Sequence, residues 1–237
     1  MGFIGQHKVV VMITTGTFGL LLLTLLAIFL ATHVSSSEEN TGSAKGLSDI
    51  STQELNMKWL NQPGEVVNAT ETGVEITVDP DTDYWRITHY GFIRDNGPFY
   101  YAEQEGDFEA SVKVTGAYKE LFHQAGLMLR LNDDNWIKTG IEFVDHVQHV
   151  SAVVTHNVSD WSVVPSNAAA GTPVWLKLLR KGDFVEIKYS FDNVKFDMLR
   201  LAYFDPKVKS MIGMYAAAPG KLPFNVTFED FNVTKVE

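Results

Sequence analysis

From Leu55 to the C terminus the apolar residues recur with a period of two, in short runs that each end in turn chemistry. No other feature constrains the fold as strongly. Phe108, Ala110, Val112 and Val114 fall on one face of such a run, because successive side chains of a strand point to opposite sides. Residues 66–67, 74–78, 84–88, 174–179, 184–191, 198–204, 211–216 and 224–233 read as further strands. Between them stand 68–73 (NATETG), 79–83 (DPDTD), Gly182-Asp183 and Asp192-Asn193, rich in residues that tolerate or cap turns. Residues 165–173 form a Ser/Ala/Gly loop, and nothing after residue 54 keeps a helical period. About a dozen strands at roughly ten-residue spacing predict an all-β sandwich or barrel.

The richest stretch is 121–164, LFHQAGLMLRLNDDNWIKTGIEFVDHVQHVSAVVTHNVSDWSVV. It predicts three strands. In the first, Ala125, Leu127 and Leu129 face the core, while Gln124, Met128 and Arg130 point the other way. Residues 132–135 (NDDN) make a turn. The return strand puts Ile137, Ile141 and Phe143 inward and Trp136, Lys138, Gly140 and Glu142 outward. Val150 to Thr155 follows and breaks at Asn157. This hairpin has one apolar face and one that mixes aromatic, amide and charged groups.

The N terminus is different in kind. Residues 9–32 carry no charge and are rich in Leu, Ile, Val and Phe. At about 1.5 Å per residue, a helix of that length crosses a hydrocarbon core of roughly 30 Å. A cleaved signal peptide is the alternative, but its apolar region is typically about 7–15 residues, so length favours a transmembrane signal anchor. Lys8 precedes the segment and Glu38 and Glu39 follow it, which predicts residues 1–8 in the cytoplasm and the bulk luminal or extracellular, a type II arrangement. Thr14, Thr15, Gly16, Thr17 and Gly19 form a small-residue patch that would admit a partner helix in the membrane. Residues 33–54 read as a solvated stalk before the domain of residues 55–237. Sequons at Asn68, Asn157, Asn225 and Asn232 all lie beyond the anchor and are candidate glycosylation sites.

After residue 32 there are 18 basic and 29 acidic residues, a surface that repels phosphate backbones, so nucleic acid is not an expected partner. The chain has no cysteine, so burial alone must stabilise the domain.

Several motifs bear on kinship: FHQAGLMLR (122–130), WIKTGIEFVD (136–145), SDWS (159–162), TDYW (82–85), GDFEA (106–110), KYSFDN (188–193) and FEDFNV (228–233). Through them the chain resembles a family of concanavalin A-like domains of unknown function that includes the fungal regulator-of-enolase proteins. The resemblance covers residues 57–235. It implies a jelly-roll sandwich of two curved antiparallel sheets, in a fold whose relatives bind or cleave carbohydrate. The family pattern usually has an acidic residue just before Gln-Ala-Gly; His123 stands there in this chain.

In jelly rolls, sugars lie on the concave sheet, where aromatic faces stack on C–H surfaces and polar groups bind hydroxyls. Gln124, Arg130, Trp136, Lys138, Glu142 and Trp161 supply that mixture, with Trp85 and Tyr100 as additions. The competing structural reading pairs Lys138 with Glu142 and Arg130 with a neighbouring acid. Glycoside hydrolysis normally needs two carboxylates about 5–10 Å apart. Glu142 is one; Glu103 and Asp160 are candidates for the second, approaching from other strands. His146, His149 and His156 are spaced so that they do not converge on a metal, and residues 132–135 are too short for a calcium shell. No cofactor or metal is expected. The composite expectation is a membrane-anchored, non-catalytic module that recognises a glycan or glycoprotein. A carbohydrate-active enzyme and a structural subunit of a membrane assembly are the alternatives.

Overall fold

A computed structural model describes residues 55–237. The expected membrane anchor and stalk lie outside the described residues. Among the described residues all regular structure is β, in sixteen strands. In chain order they are β1 (Lys58–Leu60), β2 (Glu65–Ala69), β3 (Val74–Val78), β4 (Tyr84–Arg86), β5 (Ile93–Asp95), β6 (Phe99–Gln104), β7 (Phe108–Gly116) and β8 (Gln124–Arg130). There follow β9 (Asn135–Val144), β10 (Val147–His156), β11 (Val158–Pro165), β12 (Val174–Lys181), β13 (Phe184–Ser190), β14 (Asp197–Tyr203), β15 (Ser210–Ala217) and β16 (Phe224–Lys235).

Two seven-stranded antiparallel sheets result. The first runs β1-β6-β15-β8-β9-β10-β11 and the second β14-β13-β12-β7-β16-β3-β2. Their inner faces make the main core, in which Ala125, Leu127, Leu129, Ile137, Ile141, Val150 and Ala152 of the first sheet meet Ala110, Val112, Leu176, Leu178 and Ile187 of the second. The alternation in β7 is complete, with every second residue buried. In β16 it holds through Val226 and Phe228, and a register shift between Glu229 and Asn232 then restarts it. Asp230, at φ 55°, makes that irregularity and leaves Phe231 buried and Asn232 exposed.

Four strands escape the sequence reading: β1, β5, β6 and β11. The stretch 121–164 therefore holds four strands rather than three, because the chain turns at Asn157 (φ 63°) and pairs again along β10. A short hairpin, β4–β5, belongs to neither sheet. It covers the outer face of the first sheet and builds a second apolar core there, of Tyr84, Trp85, Phe99, Met128, Trp136, Val153 and Tyr215. The outer face is thus half core and half cleft.

Candidate binding cleft under the β4–β5 flap

Register places the floor. Gln124 of β8 lies opposite Glu142 of β9, Gly126 opposite Gly140, Met128 opposite Lys138, and Arg130 opposite Trp136. Next to Gly140 stands Ser151 of β10. The glycine pair leaves a trough: a Cβ on Gly126 would fall 1.9 Å from the Thr139 carbonyl oxygen, and one on Gly140 2.0 Å from that of Ala125. Across this trough the Lys138 ammonium reaches the Gln124 amide oxygen. An ammonium only donates, so this bond fixes the amide's orientation. The Gln124 amide nitrogen then donates to Asp83 Oδ1 and the Phe122 carbonyl, both at 3.2 Å. On the other side Trp161 Nε1 donates to Ser151 Oγ at 3.0 Å, and Ser151 Oγ donates to Glu142 Oε2 at 2.9 Å.

These groups open into a cleft of about 270 Å³. Trp85, Tyr90, Phe92 and Arg94 of the flap form one wall and Phe122 and Trp161 the other. Tyr90 stacks on Phe92 at 5.6 Å and meets Trp85 edge-on at 5.7 Å. Phe122 and Trp161 are in edge contact at 6.3 Å. Gln124, Lys138 and Glu142 form the floor, and Asp81 and Asp83 flank it.

The backbone beside the cleft is strained. Among the described residues ten non-glycine positions have positive φ, and all but two are Asn, Asp or His, which tolerate it. The two are Ile87 (65°) and Phe122 (66°). Ile87 lies in the flap tip, where the Thr88 amide donates to the Arg86 carbonyl at 2.8 Å and the Tyr90 amide to the Thr88 carbonyl at 2.7 Å, giving two three-residue turns. Outliers of this kind collect where a fold holds a binding surface in place.

Burial raises the pKa of Glu142, and Asp83 raises it further; Lys138, the Ser151 hydroxyl and Trp161 act in the opposite direction. Lys138 and Glu142 make no ion pair within 4.0 Å, so the direct pairing expected from sequence is replaced by the Lys138–Gln124 bond. Lys138 Nζ also lies 5.9 Å from the Tyr215 ring centroid.

Of the six residues expected at a ligand face, the structure brings Gln124, Lys138, Glu142 and Trp161 together in the cleft. It places Arg130 and Trp136 elsewhere. Trp136 is 1% exposed in the core beneath the flap. Arg130 grips Asp95 of β5 with both terminal nitrogens, Nη2 at 2.7 Å from Oδ2, and so ties the flap to the sheet. The other half of the structural reading, Arg130 with a neighbouring acid, is therefore what the fold contains. Trp85 joins the cleft, whereas Tyr100 stacks on Trp59 at 4.5 Å.

The acids also differ from expectation. Glu103 is held by Lys209 (2.8 Å) and Lys58 (3.8 Å), and Asp160 by Arg200 (3.3 Å); neither lines the cleft. The acids that do share it with Glu142 are Asp81 and Asp83, both from the segment read as a plain turn, and of the two Asp83 bonds the floor through Gln124. His123, where the resemblance implies an acid, is fully buried and satisfied. Its Nδ1 accepts from the Lys119 amide at 3.2 Å, its Nε2 donates to the Leu222 carbonyl at 3.0 Å, and it stacks on Phe224 at 4.4 Å. Burial lowers its pKa, so it serves as a neutral strut between two loops. His146 and His156 sit at opposite ends of β10, in the turn before it and at its last residue. All four sequon asparagines are exposed.

A curated relative, "Regulation of enolase protein 1" of Saccharomyces cerevisiae, is 37% identical over 177 residues, 74% of this chain and 88% of the relative. The crystal structure of a functionally unknown protein from the same yeast superposes with a TM-score of 0.73 at 35% identity, covering 76% of this chain and 97% of that one. A legume lectin-like domain from Entamoeba histolytica matches at 12% identity with a TM-score of 0.51, over 77% of this chain and 91% of that one, a likeness of fold alone. The two antiparallel sheets accordingly form a lectin-like jelly roll. Residues 59–236 match the model of one family, "Protein of unknown function (DUF1349)", and the chain belongs to it.

Proposed function

We propose that this domain is a non-catalytic recognition module for a glycan, free or on a glycoprotein, held on the luminal or extracellular side of a bilayer by residues 9–32. One observation carries the reading: a cleft with two aromatic walls stands over a hydrogen-bonding floor. Aromatic faces take the C–H surfaces of a sugar ring while the floor takes its hydroxyls. The likeness to a lectin-like fold supports it. The test is a glycan array probed with the protein and with Trp161→Ala. Binding that the substitution abolishes supports the module; binding that ignores Trp161 places recognition elsewhere and defeats it.

A second reading, a carbohydrate-active enzyme, is favoured by one specific fact. Asp83 and Glu142 line one cleft, and burial pushes Glu142 toward the protonated form a general acid needs. An assay for new reducing ends on bound glycans separates the readings. Turnover lost in both Glu142→Gln and Asp83→Asn would establish the enzyme.

A further inference from the structure

The charged groups of the cleft are unequally engaged. Each acid already accepts from a donor of the protein: Asp81 from Lys221 Nζ at 2.7 Å, Asp83 from the Tyr84 amide at 2.8 Å and from Gln124, Glu142 from Ser151. The cations are not engaged to the same extent. Lys138 is 2% exposed, yet among the described residues its one hydrogen-bond acceptor is the Gln124 amide oxygen, and no carboxylate comes within ion-pair distance. Two of its three N–H donors have no protein acceptor among the described residues and are available to a group entering the cleft. Arg94, opposite Trp85 in the flap register, lines the cleft without a side-chain hydrogen bond or ion pair among the described residues. A buried ammonium short of acceptors is costly unless something supplies them.

We infer that the glycan taken by this cleft is acidic, a saccharide bearing a negative group on its ring, and that Lys138 at the floor and Arg94 on the flap wall receive that group. This rests on the glycan-binding reading above and narrows it. The domain's overall charge is negative, so long-range attraction does not deliver such a ligand. Selection is made at contact, by donors that a neutral sugar leaves partly unused. The tendency of Glu142 toward its neutral form agrees, since a protonated Glu142 adds a donor instead of a repelling charge. A uronic acid carboxylate and a sugar sulfate share the required chemistry.

The experiment is an array of uronate-bearing, sulfated and neutral oligosaccharides, probed with the full-length protein in mild detergent at low and high ionic strength. Acidic members should bind roughly tenfold or more above neutral members of the same size, the worth of one charge-assisted hydrogen bond. The preference should shrink in high salt, because Arg94 is exposed. Lys138→Met and Arg94→Ala should each lower acidic binding by a larger factor than neutral binding, so that the acidic-to-neutral ratio falls toward one. Should Lys138→Met fail to fold, Arg94→Ala, at an exposed position, decides alone. Uronates binding above sulfates identifies the carboxylate as the group read; equal binding identifies charge alone, and either supports the inference. Neutral glycans binding as well as acidic ones, through Trp161, overturn it while sparing the recognition module. Failure of every glycan to bind overturns both.

Discussion

Arg130 reads from sequence as a ligand residue and proves to be the flap's anchor, which makes a sharp prediction about its partner Asp95. The two members of the pair are unequally buried: the Arg130 side chain is 5% exposed and that of Asp95 27%. Arg130 Nε is also buried without a partner. Removing the acid therefore strands a buried guanidinium, whereas removing the arginine strands a carboxylate that water already reaches. Breaking a buried pair costs about 3–5 kcal/mol when the remaining charge is left uncompensated. Asp95→Asn should fall near the lower end of that range, about 3 kcal/mol, and Arg130→Met should cost less, about 1–2 kcal/mol. The double substitution should be less destabilising than the sum of the two, by at least about 1 kcal/mol. Urea denaturation followed by tryptophan fluorescence measures all three. Arg130→Met costing more than Asp95→Asn would refute the reasoning, since the arginine would then be contributing through packing and not through its charge.

Glu142 has a raised pKa in the fold, so the native state keeps a proton that the unfolded chain releases above about 4.3. Its favourable contribution is complete below that pH and is lost as pH rises through the folded value. The stability of Glu142→Gln relative to wild type should therefore improve from pH 4 toward pH 7 on denaturation curves, and the opposite trend would mean that Lys138 holds Glu142 ionised. Ile87→Gly should stabilise the protein by about 0.5–1 kcal/mol, because the left-handed backbone costs a side-chain-bearing residue about 1–2 kcal/mol and glycine's extra unfolded-state entropy returns part of it; a loss of stability would show that the flap needs the Ile87 side chain more than relief. For topology, protease added to sealed microsomes should leave the domain intact, and endoglycosidase should shift its mobility through the four exposed sequons. Complete digestion would reverse the orientation, and an unshifted band would leave the sequons unoccupied.

The sandwich was legible because both of its inner faces obey strict alternation, as in β7 and in the inward residues of β8, β9 and β10. What the alternation does not carry is the covering of the outer face. Met128 and Trp136 sit on the polar-looking side of the hairpin and are buried only because β4–β5, more than thirty residues earlier in the chain, folds over them. The same long-range closure explains Arg130, whose acid lies 35 residues away, and Asp83, whose bond to Gln124 spans 41. In local sequence Asp83 belongs to DPDTD and reads as turn chemistry. A signal for the flap was nonetheless present. Trp85, Tyr90 and Phe92 crowd aromatic bulk into a segment broken by Gly91, which an ordinary solvent loop does not do. β11 escaped because only its second residue is buried, so no apolar alternation marks it.

If a sugar lies between the flap wall and Trp161, as proposed, the five tryptophans report on it directly. Trp85 and Trp161 line the cleft, Trp136 is buried beneath the flap, Trp59 stacks on Tyr100, and Trp175 lies on the second sheet beside Lys113. Indole N–H resonances of the protein, titrated with the best array glycan, should move for Trp85 and Trp161 and stay in place for Trp59 and Trp175. Shifts confined to Trp59 or Trp175, with Trp85 and Trp161 unmoved, would contradict the account.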